Sequence, residues 1–242
     1  MLSLPVRVAR DAGAGRAARV PWARAAVTLA PPPMELLYGF DPLCGWCYGA
    51  VPAVRALREA EPGLPVRLVM AGLVSGARVG PYAEAEGYIR AASDRLRQET
   101  GRAPLEAFFR LIRTPGVRGD SGPPCVAIHA VERAVPEATL PFAHAVIEAH
   151  FEEGADLNAP ETYAPLLARH APGVALPNLH DPALAEAAWA EGRRLGVRSF
   201  PTLALRRDGG GGWEPLPPIY APEALVRRVR EAASHAPHHA PP

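Results

Sequence analysis

Residues 41–49 read "DPLCGWCYG" and carry two of the three cysteines of this 242-residue chain. Two cysteines with two residues between them can hold a metal, close a structural disulfide, or exchange electrons with another molecule. Which of these applies depends on what flanks the pair. Upstream, "MELLYGFD" (34–41) is a short apolar run with Tyr and Phe that ends at Pro42, and it reads as a buried strand. Downstream, Val51, Val54 and Leu57 share one face of a helix predicted from about Cys44 to Ala60. "PVRLVMAGL" (65–73) then reads as a second strand, so the segment is a strand–helix–strand unit with a parallel pair.

A C-x-x-C at the end of a strand and the start of a helix puts its first sulfur among free N–H groups at the positive end of the helix. Lowering a thiol pKa from about 8.5 to about 6.5 raises the thiolate share at pH 7 from roughly 3% to roughly 75%. The thiolate is the nucleophile, so Cys44 is the expected attacking thiol. Cys47, one turn in, is expected to resolve the mixed disulfide. A zinc site needs two more ligands, and only Cys125 and scattered histidines, with His144 and His150 nearest to a ligand spacing, are on offer. A structural disulfide across so short a loop stabilises little. Position therefore favours a redox pair, with no metal.

Further along, residues 76–196 look helical. Leu140, Ala143, Ile147 and Phe151 fall at helical spacing, as do Val126, Ala130 and Ala134. Asn158 with Glu161 resembles a capping box, and Asp181-Pro182 reads as an N-cap followed by proline. Strand character returns in "SFPTLALR" (199–206) and "WEPLPPIY" (213–220), which flank a Gly turn, and a last helix follows from about Pro222. The sum is a βαβ half and a ββα half that share a mixed sheet, interrupted by a large helical insertion.

The pair in "DPLCGWCYG", "GVRSFPTLAL" (196–205) some 150 residues later, and the helical block between them resemble the DsbA-like branch of the thioredoxin superfamily. The closest likeness is to its cytoplasmic-type, FrnE-like members, with their D-P-x-C-x-W-C-x-G motif. The resemblance covers about 34–233 and implies an α/β thioredoxin fold. It implies a thioredoxin-fold domain made of 34–75 and 197–234, with 76–196 inserted. It also implies thiol–disulfide oxidoreductase or disulfide isomerase activity through Cys44 and Cys47. Pro42, Gly45 and Trp46 match the active-site motif, and Pro52 matches a proline that kinks its helix. Phe200, Pro201 and Thr202 match a substrate-binding cis-proline loop. The chain departs from the FrnE-like pattern in lacking a second cysteine pair near the C-terminus.

Asp41 is an accessory candidate, either a turn residue or a proton acceptor for Cys47. Cys125 is another, either an inert buried thiol or a third thiol at the mouth of the site. The expected partners are protein or small-molecule thiols and disulfides, together with a recycling partner. Beyond the Cys44–Cys47 disulfide no cofactor is expected, with glutathione as the candidate thiol. A glutathione-dependent isomerase or transferase, like 2-hydroxychromene-2-carboxylate isomerase and the kappa-class transferases, is the alternative on the same fold.

Composition sets the outer bounds. Lys+Arg number 26 against 25 Asp+Glu, and no polybasic patch points to nucleic acid or an anionic membrane. No apolar run is long enough for a transmembrane helix, and neither that nor a secretion signal is read, so a cytoplasmic location is expected. Abundant Ala, Pro and Arg read as the bias of a GC-rich genome, such as a bacterial one. Residues 1–33 are Arg-rich and aperiodic and read as a disordered extension, as does the His- and Pro-rich tail 235–242.

Overall fold

The computed structural model describes residues 34–207 and 212–234. The extension expected at 1–33, part of the Gly turn and the tail at 235–242 lie outside the described residues. Strand β1 (Met34–Gly39) leads through a turn into helix α1 (Gly45–Ala60) and strand β2 (Val66–Val69). Then come β3 (Gly80–Pro81), α2 (Glu86–Thr100), α3 (Glu106–Ile112), β4 (Arg118–Gly119) and α4 (Gly122–Ala134). Helix α5 (Thr139–Glu148) runs into a π-helical turn at Ala149–Glu153, and α6 (Tyr163–His170) and α7 (Pro182–Arg194) follow. The chain closes with β5 (Thr202–Arg207), β6 (Glu214–Leu216) and α8 (Pro222–Ser234).

The main sheet has the order β2-β1-β5-β6. β1 and β2 are parallel, with Leu36 opposite Val66 and Gly39 opposite Val69. β5 returns antiparallel to β1, with Met34 opposite Arg207 and Gly39 opposite Thr202. The sheet is therefore mixed, a DsbA-like thioredoxin fold with a helical insertion between β2 and β5. Both faces of β1 are covered, which is why its sequence is a continuous apolar run rather than an alternation. Leu36 and Tyr38 enter the larger core, and Leu37 packs with Val69, Val197 and Ala204 on the other side. Val51, Val54 and Leu57 of α1 are all 0% exposed, so the predicted face is the buried one. α8 packs beside α1 and buries Leu225, Val229 and Ala232. Burying each larger aliphatic side chain stabilises by about 1.5–3 kcal/mol.

Several local readings change in the folded chain. The strand expected over 213–220 shrinks to Glu214–Leu216, because Pro217 and Pro218 offer no N–H to a ladder. Pro215 is tolerated inside it because β6 is the outer strand. The helical section also contains a two-residue ladder, Gly80 with Gly119 and Pro81 with Arg118. Asn158 and Glu161 do not form a capping box. Pro160–Thr162 is a separate 3-10 turn, and the Asn158 side chain instead donates to the Arg118 carbonyl at 2.9 Å. Asp181 does cap α7, its Oδ1 accepting from Ala183 N at 2.8 Å. In α4, Val126 is buried but Ala134 is exposed. Every residue from Gly122 to Ile128 is buried, so small residues do not mark the inner face of this helix.

Candidate active site

The turn before α1 is built by Asp41 and Pro42. Cys44 N donates to the Asp41 carbonyl at 3.0 Å, closing a β-turn with proline at its second position. Leu43 N donates to Asp41 Oδ1 at 2.9 Å, which fixes the side chain of the first residue as well. Cys44 emerges as the N-cap of α1 with extended backbone (φ −89°, ψ 111°), and no side chain caps the N–H groups of the first turn. No acidic residue lies in that turn either. The dipole end and its free donors are thus left to the cysteine sulfur.

Cys44 is 6% exposed and Cys47 is 0% exposed, and both are free thiols. The Cys44 side chain borders a cavity of about 210 Å³, together with Trp46, Leu73, Ile89, Leu96 and Phe200. The Cys44 thiol donates to the Phe200 carbonyl at 3.5 Å, and the Phe200–Pro201 peptide is cis. Burial holds the Cys47 thiol well above its usual range, reinforced by its hydrogen bond with Cys44. Tyr38 Oη donates to the Cys47 carbonyl at 3.3 Å from beneath. One sulfur therefore borders the groove while its neighbour is sealed behind it as a thiol.

No family model matches the chain, and no curated protein matches it. Among solved structures, the chain is similar to the cytosolic disulfide reductase DsbM from Pseudomonas aeruginosa. The two are 29% identical with a TM-score of 0.71, over 84% of this chain and 100% of that one. DsbM with GSH aligns comparably, at 27% identity and a TM-score of 0.69, over 83% of this chain and 99% of that one. The chain is a DsbA-like thiol–disulfide oxidoreductase. A probable DsbA oxidoreductase from Streptomyces coelicolor shares the fold at 19% identity and a TM-score of 0.57, over 86% of this chain and 94% of that one. So does a 2-hydroxychromene-2-carboxylate isomerase, at 16% identity and a TM-score of 0.50, over 84% of this chain and 99% of that one.

Of the remaining candidate residues, Trp46 borders the Cys44 cavity and Thr202 follows the cis Phe200–Pro201 peptide. Trp46 is half-buried and packs on Tyr220, with ring centroids 5.6 Å apart. Thr202 opens β5, and its hydroxyl donates to Ser199 O at 2.6 Å, bracing the loop that carries Phe200 and Pro201. This loop approaches β1 closely because residue 39 is glycine. A Cβ there would lie 2.8 Å from Thr202 Cβ.

Asp41 is not a simple turn residue. It is fully buried, and its carboxylate also accepts from Leu73 N at 2.7 Å and from the Ser121 hydroxyl at 2.9 Å. Burial nonetheless raises its carboxyl to about 6, against those three hydrogen bonds. Ser121 in turn accepts from Val74 N at 3.0 Å. Asp41 thus ties the Cys44 turn to the segment after β2 and to the start of α4. Ser121 and Tyr220 went unread in the sequence, since neither sits in a local pattern that points to the cysteines.

Cys125 is 0% exposed and does not border the Cys44 cavity, so it packs as a small apolar residue rather than serving as a third thiol at the mouth. Burial pushes its thiol well up. α1 runs unbroken through Pro52. Proline has no N–H for the Tyr48 carbonyl one turn back. Arg102 Nη1 donates to that carbonyl instead, at 3.3 Å. Of the two histidines weighed as zinc ligands, His150 is taken up by Tyr82 Oη at 3.1 Å and Ala155 O at 2.9 Å. Among the described residues no group of three or more His, Cys, Asp or Glu stands together as a metal site requires.

Proposed function

We propose that the oxidoreductase works as a disulfide reductase of the cytosol, acting on protein or small-molecule disulfides, with glutathione restoring its dithiol. Cys44 as thiolate attacks one sulfur of the substrate disulfide, forming a mixed disulfide and releasing the first substrate thiolate, which takes up a proton. Cys47 then gives up its proton and attacks Cys44 Sγ. The Cys44–Cys47 disulfide forms and the second substrate thiol leaves. Two electrons pass from the dithiol to the substrate. Two glutathione thiols return them and become glutathione disulfide.

The observation that carries this reading is the asymmetry of the pair, one thiol on the groove and one sealed a turn behind. DsbM, described as cytosolic and as a disulfide reductase, supports the direction of transfer, since its whole length aligns with this chain. Its structure with GSH supports glutathione as the recycling thiol. In a reducing compartment a pair of moderate potential stays dithiol.

The test is trapping. Cys47→Ser is expected to accumulate a mixed disulfide with a peptide disulfide or with glutathione disulfide, visible by intact mass. Cys44→Ser is expected to lose all turnover. Turnover that survives Cys47→Ser with tight glutathione binding would instead assign glutathione-dependent isomerase or transferase chemistry. The redox equilibrium of the pair against glutathione sets the direction. A strongly oxidising value would overturn the reductase assignment.

A further inference from the structure

A second cavity, of about 650 Å³, lies at the opposite end of β1 from Cys44 and takes no part in the chemistry above. Its size falls within the range of small-molecule sites. The sheet edge at β2 forms one side, and α1 and α5 form the others. Thr139 and His144 of α5 border this cavity and are 7% and 3% exposed. Thr139 Oγ1 and His144 Nε2 are buried and have no hydrogen-bond partner. An orphaned buried polar atom costs stability, so two of them beside one cavity point to a missing partner. Burial pushes the His144 imidazole down to about 3, which leaves a neutral ring able to pair with an amide.

The charges around the cavity define what would enter it. Arg55, Arg67 and Glu35 are committed to Glu148, Glu191 and Arg206 respectively. Glu132 is held by His129. Among the described residues, Arg58 has no carboxylate partner, only the Leu64 carbonyl, and Glu137 has no ion pair. One uncommitted cation and one uncommitted anion disfavour a polyanion and suit a zwitterion. Val66, Leu68 and Leu140 add apolar lining. β2 is an outer strand. Its bonds to β1 use the Pro65 and Val69 carbonyls, so the alternation of the strand turns the Val66 and Leu68 backbone groups away from the sheet.

We propose that this cavity binds a short zwitterionic peptide, with its carboxylate on Arg58, its ammonium on Glu137 and its amide on His144 and Thr139. The site is independent of the thiols. The experiment is a ¹H–¹⁵N NMR titration of the full chain with the dipeptide Gly-Leu. N-acetyl-Gly-Leu, which lacks the ammonium, and Gly-leucinamide, which lacks the carboxylate, serve as controls. Saturable shifts at Val66, Leu68 and His144 are expected. Binding by each blocked analogue should be about tenfold weaker, the loss of one charge-assisted hydrogen bond. Arg58→Gln and Glu137→Gln, on the cavity rim, should each weaken Gly-Leu similarly, while Cys44→Ser leaves it unchanged. His144→Leu should raise the thermal midpoint and weaken binding together. Absence of saturable shifts up to about 10 mM, the weak end of specific binding, would overturn the proposal. So would equal binding of the blocked analogues, or shifts confined to the groove at Cys44.

Discussion

Three buried ionisable side chains other than the thiols, Asp41, His144 and His150, give the protein a pH response whose sign can be worked out. Burial raises the Asp41 carboxyl from 3.8 to about 6. A raised carboxyl contributes stability that is present below about pH 4 and lost as the pH climbs through 6. Burial lowers His144 from 6.5 to about 3, and it lowers His150 from 6.5 to about 4. The folded state therefore refuses protons that the unfolded chain accepts. Their contribution is intact above pH 6.5 and lost as the pH falls through 4 and then 3. Each histidine is displaced at least as far as Asp41, at about 1.4 kcal/mol per pH unit, so two outweigh one. Urea midpoints should fall as the pH goes from 6.5 to 4, and His144→Leu should flatten the slope. Asp41→Asn should steepen it by removing the opposing group. A midpoint that rises on acidification would contradict the assignment. At the same scale, Cys47→Ser and Cys44→Ser separate trapping from loss of turnover.

At the scale of elements, the joint between α1 and the helical insertion rests on Arg102. Its guanidinium donates to the Tyr48 carbonyl, pairs with Glu148 at 3.3 Å and with Glu152, and lies 3.9 Å from the centre of the Tyr48 ring. Tyr48 Oη closes the cluster by donating to Glu152 at 3.0 Å. The carbonyl is free only because Pro52 sits four residues on. Arg102→Met should cost about 1–3 kcal/mol, since it leaves the Tyr48 carbonyl without a donor, while Glu148 keeps Arg55 and Glu152 keeps the Tyr48 hydroxyl. Pro52→Ala restores an N–H to that carbonyl, so Arg102→Met should cost less in that background. A double-mutant cycle by urea unfolding should give a coupling of about 1 kcal/mol. Additive effects would show that the carbonyl contact carries nothing.

For the whole molecule, the groove at Cys44 belongs to both parts of the fold. The sheet part supplies Cys44, Trp46 and Phe200, and α2 of the helical section supplies Ile89, Ala92 and Leu96. Substrate recognition and sulfur chemistry are therefore separable. Ile89→Glu should raise KM for an apolar peptide disulfide about tenfold by putting a charge in a desolvated wall. The alkylation rate of Cys44 should stay unchanged. A matching fall in alkylation would mean that α2 also shapes the thiol itself.

Features that depend on neighbours along the chain were legible before folding was considered. The Asp41-Pro42 turn, the helix beginning at Cys44, the apolar strands and the Asp181 cap are all encoded within a few residues. So is the order of the elements, which gives the mixed sheet. Contacts between distant segments emerged with the packing of the folded chain. Ser121 meets Asp41 across 80 residues, and no local pattern marks it. Phe200, which meets Cys44 across 156 residues, was marked only by the resemblance of its loop to a cis-proline loop. The choice between the two readings of Cys125 turned on the same thing, and its burial favours the inert one. Exposure is a property of how helices pack, and the residues flanking Cys125 in the sequence do not reveal which way that helix faces.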